Sequence, residues 1–216
     1  MSARLLGKTS PPALPVAPPS PLKGFMDALN NILRLFFNGI GSAVNSLVGE
    51  NGGRFLQVPN ALFFDTGDQA LVTINVGQPV RFNQTYLDNA ITINGATTSE
   101  ITVEYSGIYN IQFTGQVRSG SGSSKIVYLW IARNGTAIGY SAREYSISGS
   151  GKELEINWSF IIDLQADSYI ELYWTGDDIN LSLDHIAATS PHPGISSAVV
   201  AVFFISALPE VLPVLP

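Results

Sequence analysis

The sequence predicts an all-β protein of antiparallel strands, folded as a sandwich or barrel, with an extended arm and one helix in front of it. Three observations carry that prediction. From residue 55 onward, short apolar or alternating segments follow one another between Gly, Asn, Asp and Ser residues, with no helical period among them. In the run Gly107–Val117, Tyr109, Ile111, Phe113 and Val117 fall on one side and Asn110, Gln112, Thr114 and Gln116 on the other, as in a strand with one buried and one wet face. Asn134-Gly135 between apolar runs is a strong hairpin signal, because both residues tolerate positive φ.

The chain has 216 residues, enough for one large β domain plus an extension. Apolar residues make up 45% and charged residues only 13%. Two readings fit so low a charge: a well-packed β protein, or an oligomer whose contacts hide surface that a monomer would have to charge. A net charge of −6 and eleven scattered basic residues argue against nucleic-acid binding, which needs clustered Lys and Arg. The absence of cysteine excludes zinc fingers, redox motifs and disulfide frameworks, and leaves the compartment open.

Residues 1–21 form a Pro-rich extended arm: the stretch TSPPALPVAPPSP holds six of the thirteen prolines, each fixing φ and removing a donor. That stretch follows Arg4 and Lys8 where a signal peptide would have its apolar core, so ordinary secretion is not expected. Residues 22–48 read as an amphipathic anchoring helix. Leu22, Phe25, Met26, Leu29, Ile32, Leu33, Phe36, Phe37, Ile40, Val44 and Leu47 recur at helical spacing, with Phe25, Leu29, Leu33, Phe36 and Phe37 as the candidate anchoring residues. Ser20 suits the N-cap, Pro21 the first helical position and Gly49 the stop, while Gly39 and Gly41 invite a bend. Asp27 and Arg34 would lie inside any membrane span, so a transmembrane helix is not expected. Three roles stay open: packing beneath its own domain, bundling with copies or a larger assembly, and lying on a membrane, the last disfavoured by the scarcity of Lys and Arg. Residues 49–54 form a hinge, 55–207 the β head and 208–216 a Pro-rich C-terminal tail.

Strand signals within the head fall on 61–65, 69–74, 79–82, 91–93, 100–104, 107–117, 125–133, 152–164, 168–174, 179–183 and 196–206. In residues 152–161, Leu154, Ile156, Trp158 and Phe160 face one way and Glu153, Glu155, Asn157 and Ser159 the other. By contrast, residues 127–131 and 198–205 are apolar on both faces. Such strands call for a cover beyond their own core, and Val127, Leu129, Ile131, Val200, Val202 and Phe204 are the candidate subunit-interface residues.

Little in the chain promises chemistry. Asp184 and His185 are neighbours on a strand and point apart, so they cannot form the Asp-His arm of a triad with each other. His192 lies between prolines, and no HxH or HExxH spacing occurs. Asp177-Asp178 lacks the oxygen cluster of a calcium loop and reads as a solvated turn, and GNGGRF lacks the Lys-Ser/Thr of a phosphate loop. No catalytic residue, cofactor or metal is expected, and the protein is not expected to be an enzyme.

The residues carry a resemblance to a known family. Gly107-Ile108-Tyr109-Asn110-Ile111-Gln112-Phe113, Trp130-Ile131-Ala132-Arg133-Asn134-Gly135, Asp167-Ser168-Tyr169-Ile170-Glu171-Leu172 and the final Phe203-Phe204-Ile205 resemble the jelly roll shared by tumour necrosis factor and the globular heads of complement. The version with YNIQF, an NG hairpin and a YIELYW strand is similar to domains in tailed-phage virion proteins. Ala166 stands where the family commonly has glycine, and Val202-Phe203-Phe204 replaces a glycine-bearing last strand. The resemblance spans about residues 55–207 and implies a ten-stranded, two-sheet antiparallel jelly roll forming a homotrimer about its apolar strands.

The expected function is therefore structural: a virion protein of a tailed phage, a trimeric head held by its N-terminal segment to major capsid or tail proteins as a decoration, cement or head fibre. The alternative is an adhesion module, such as a tail-fibre head, that binds a host surface glycan or receptor. Tyr140, Tyr145, His192 and the loops 119–124 and 176–178 are its candidate contacts, since loops carry binding on rigid β scaffolds. A secreted cytokine-like ligand is not expected, because neither signal peptide nor collagen-like stalk is seen.

Overall fold

A computed structural model describes residues 23–48 and 58–208; the predicted arm, hinge and C-terminal tail, with Ser20, Pro21, Leu22 and Gly49, lie outside the described residues. The chain divides into two units, one holding the helix and the other the β domain.

In the first unit, α1 (Lys23–Val48) is one α-helix that runs unbroken through Gly39 and Gly41. Lys23 and Asp27 form an i,i+4 ion pair at 2.6 Å, and Arg34 donates to Asn31 at 2.7 Å, so these four polar residues are held in short-range pairs on the helix surface. Phe25, Ile32, Leu35 and Phe36 are exposed. No described helix is long and apolar enough to cross a membrane.

The β domain has fourteen strands: β1 (Asn60–Asp65), β2 (Gln69–Ala70), β3 (Gln78–Pro79), β4 (Gln84–Asn89), β5 (Ile91–Ile93), β6 (Ile101–Val103), β7 (Gly107–Ser119), β8 (Ser124–Arg133), β9 (Thr136–Ala137), β10 (Arg143–Ser148), β11 (Lys152–Leu164), β12 (Tyr169–Gly176), β13 (Leu181–Leu183) and β14 (Ala198–Ser206). They form two seven-stranded sheets, antiparallel throughout, with more strands than the ten expected, three of them pairs of residues only (β2, β3 and β9). In the first, β7 is the spine. It pairs with β11 along its whole length, from Gly107↔Leu164 to Ser119↔Lys152, while its other edge is shared by β14 and β13. Beyond β14 come β1 and then β4 at the edge, and β2 extends from β13. The second sheet runs β10-β8-β12-β6-β5, with β3 added to β12 and β9 to β8.

The chain crosses between sheets from β7 to β8, back from β10 to β11, again from β11 to β12 and back through β13 to β14, which inserts between β1 and β7. That interleaving is a jelly roll. It brings Asn60 opposite Phe203, so the domain's chain enters and leaves at one end.

Alternation decides what fills the space between the sheets. Along β7 the odd residues Tyr109, Ile111, Phe113 and Val117 are buried, as predicted, and Ile156, Trp158, Ile162 and Leu164 of β11 join them. The second sheet contributes Leu129, Ile131, Leu172 and Trp174. Asn134 and Gly135 both have positive φ (49° and 77°), the geometry of the predicted hairpin turn.

Four segments differ from the sequence expectation. Of the expected strand 79–82 only Pro79 pairs, at the end of β3. The apolar run 69–74 pairs only at Gln69–Ala70; Val72, Ile74 and Val76 are exposed in a loop whose Gly77 lies against the Trp130 ring. A Cβ on Gly77 would fall 2.5 Å from that ring, which is why the loop can lie flat there. Strands β4 and β10 carry no strong sequence signal. Every side chain of β4 but Asn89 is exposed, so it has no alternating pattern to read, and its backbone pairing with β1 makes it a strand.

Candidate functional site

The surface most available to a partner is the outer face of the first sheet. Residues of β7, β11 and β14 that point away from the core line up across it by register: Ile161, Asn110 and Phe203 form one row, Ser159, Gln112 and Ala201 the next, Asn157, Thr114 and Val199 a third. β1 adds Leu62 beside Ala201 and Phe64 beside Val199, and β4 adds Leu87 beside Leu62. The end where the chain enters and leaves is apolar, with Ile161, Ile205 and Phe203 exposed by 64, 51 and 42%. Toward the other end the face turns polar: Thr114 Oγ1 donates to Asn157 at 2.8 Å, and Gln116 Nε2 to Glu153 at 3.0 Å. The last row pairs Arg118 with Glu153 and Ser182.

This corrects the expected interface. Val127, Leu129, Ile131, Val200 and Val202 are fully buried in the domain's own core and offer nothing to another subunit. Phe204 also turns inward, its ring edge-on to Tyr109 at 5.5 Å. Both strands are apolar on both faces, and the inward parity belongs to these six. The side chains left outside on β14 are Val199, Ala201, Phe203 and Ile205. On β8 the outward Trp130 is covered within the chain, stacked on Tyr173 at 5.8 Å beneath the loop at Gly77.

Of the candidate helix residues, Phe25 and Phe36 are exposed by 68 and 60%, Leu29 by 38%, and Leu33 and Phe37 are half-buried.

The expected loop residues do not converge. Tyr140 is fully exposed at positive φ, on a loop held by the buried Ser141, whose backbone carbonyl accepts from Trp158 Nε1 at 3.1 Å. Tyr145 is half-buried and donates to the Asn157 carbonyl at 2.8 Å, and His192 is exposed in a loop far along the chain. The loops 119–124 and 176–178 do meet: Gly120 N donates to Asn180 O at 2.9 Å, and Lys125 Nζ lies 2.8 Å from Asp178 Oδ2. Asp178 is therefore no solvated turn residue. The hydrogen bond from Lys125, helped by the Asn180 backbone N–H, holds its carboxyl well below the usual carboxylate range, and the same bond raises the Lys125 ammonium above its ordinary value. Asp177 Oδ1 accepts from Ile126 N at 2.9 Å. Both carboxylates are engaged by the chain's own donors, which places them in the scaffold.

Asp184 and His185 point apart as expected, Asp184 to Arg118 and His185 toward Asp68 at 3.8 Å. Among the described residues no group of three or more His, Cys, Asp or Glu could hold a metal ion. Sequence reasoning weighed Asp184 only beside His185 and missed its pairing with Arg118, 66 residues away and without a motif.

No family model matches the chain, and no curated protein matches it. Among solved structures it is similar to the globular domain of zebrafish complement 1qA protein, with 13% identity and a TM-score of 0.45 over 69% of this chain and 99% of that one. It is also similar to Eiger TNF from S. frugiperda, with 11% identity and a TM-score of 0.47 over 73% of this chain and 99% of that one. The jelly roll itself is defined by the strand order and registers of this chain.

Proposed function

We propose that the chain is a homotrimeric structural head whose subunits meet through the apolar end of the first sheet's outer face. The observation that carries this reading is that patch: Ile161, Phe203 and Ile205 are exposed together where Ile161 and Phe203 flank Asn110. A cluster of exposed apolar side chains at one end of a sheet face is the kind of surface that marks an association site. The low charge content and the sequence resemblance to trimeric jelly rolls favour a closed ring of copies of this chain. Light scattering on the full-length protein tests it: three subunits are expected for the native chain, and a monomer at micromolar concentration overturns the reading.

Within the same reading, the head belongs to the virion of a tailed phage, held to capsid or tail proteins by residues 1–48, as a decoration, cement or head fibre. Support comes from the resemblance of residues 107–113 and 167–172 to such virion domains and from α1, which presents Phe25, Ile32 and Phe36 to a partner. Extended arms suit attachment, since three per trimer multiply a weak contact through effective concentration. Particle incorporation of the chain lacking residues 1–50, or carrying Phe25→Ser with Phe36→Ser, tests this part; unchanged incorporation sinks it.

A further inference from the structure

We propose that the polar end of the same outer face holds a binding site for one neutral saccharide unit, gripped through adjacent hydroxyls between Arg118 and Asp184. A cleft of about 330 Å³ opens there, at the lower end of the range for small-ligand sites. It lies at the Ser119 end of β7, whereas the apolar patch lies at the opposite end, beside Asn110. The two surfaces are therefore separate, and the site stands independently of the oligomer.

The chemistry of the lining selects the ligand. Arg118 Nη1 donates to Asp184 Oδ2 at 3.1 Å, yet the Arg118 side chain remains 51% exposed. A guanidinium has five N–H donors, so this bond leaves several for a ligand. The Asp184 side chain is only 12% exposed and keeps acceptor capacity beside those donors. Cross-strand pairing sets Ser182 next to Arg118 and Ala70 next to Ser182 on the same face. The site thus offers a donor and an acceptor side by side.

An anion would approach the Asp184 carboxylate and a cation the Arg118 guanidinium, and each would meet its own sign. A pair of adjacent hydroxyls accepts from one and donates to the other without that conflict. Ile179, 52% exposed at the cleft wall, supplies an apolar surface for the C–H face of a sugar ring, and Ala70 leaves the floor open. The partners come from β2, β7, the loop after β12, and β13 with the residue that follows it, so the fold holds them in place before any ligand arrives.

The test is saturation-transfer NMR on the full-length protein with the methyl glycosides of glucose, galactose, mannose and N-acetylglucosamine, set beside N-acetylneuraminic acid and methyl phosphate, each read through its own C–H protons. Binding of at least one neutral glycoside is expected, with no response from the two anions. Ala70→Trp fills the cleft while keeping both Arg118 and Asp184 in the chain, and is expected to weaken that binding about tenfold or more. Arg118→Met should do the same, and Ala70→Trp keeps the test sound if that variant misfolds. The proposal is overturned if no neutral glycoside binds, if the anions bind in preference, or if a folded Ala70→Trp protein binds as well as the native chain.

Discussion

Gly107 lies directly beneath the ring of Phe204: a Cβ built on Gly107 would come within 2.3 Å of Phe204 Cε2 and 2.9 Å of the Ser206 carbonyl. The contact explains why Phe204 belongs to the domain's interior and not to a subunit contact. The ring is clamped between Gly107 and Tyr109, whose hydroxyl donates to the Tyr105 carbonyl at 2.6 Å. Burial pushes the Tyr109 hydroxyl above the ordinary tyrosine range, and Glu104 pushes it further. Gly107→Ala must displace the ring or the backbone of β14, and overpacking of this kind costs about 1–3 kcal/mol. Urea unfolding should show that loss; an unchanged midpoint would mean that Phe204 moves aside freely.

Leu129 and Phe203 should separate stability from assembly. Leu129 is fully buried, so Leu129→Ala removes core contacts at about 2–5 kcal/mol. Phe203 is 42% exposed, and Phe203→Glu should change stability of the single subunit by only about 0.5 kcal/mol. Light scattering should nonetheless find Phe203→Glu dissociated, because a charge at the apolar patch opposes burial against another copy. If Leu129→Ala dissociates the protein without weakening its fold, the inward assignment of β8 is wrong.

The ion pair of Lys125 and Asp178 sets a pH dependence whose sign follows from the two shifts. The Asp178 carboxyl titrates below its unfolded value of about 4, so its stabilisation is complete above that pH and is lost as pH falls through the folded value. The Lys125 ammonium titrates above its unfolded value of about 10, so its share is present below that pH and is lost as pH rises through the folded value. Thermal melts of native protein and Asp178→Asn should differ by a constant amount across neutral pH and converge in acid. A gap that widens in acid would contradict the assignment.

Trp158 ties β11 to the loop before β10 by its bond to the Ser141 carbonyl. Trp158→Phe keeps most of the ring but leaves that buried carbonyl without its donor, at a cost of about 1–3 kcal/mol. The same variant should speed amide exchange of residues 138–143, since Ser141 is the loop's buried anchor, its hydroxyl donating to the Ile138 carbonyl at 2.8 Å. Exchange rates equal to the native protein's would show that the loop holds without it.

Much of the fold is legible in residue types. The alternations in β7 and β11, the turn at Asn134-Gly135 and the unbroken apolar spacing of α1 each have one physical solution, and the structure shows it. Strand β4 was hidden for the opposite reason: with both faces wet, QTYLDN has no pattern, and only pairing with β1 orders it. Val72, Ile74 and Val76 misled in the other direction, because apolar content alone does not supply a pairing partner.

The helix and most strand positions follow from local residue type, since propensity and alternation act over a few neighbours. Which side of β8 and β14 faces inward does not, because each is apolar on both sides and a shift of one residue exchanges the two sets. The tertiary structure decided it by inserting β14 between β1 and β7, which fixes the register and leaves Phe203 and Ile205 outside. The same crossovers bring Asp184 to Arg118, a pairing that depends on how distant strands meet and on nothing local to either residue.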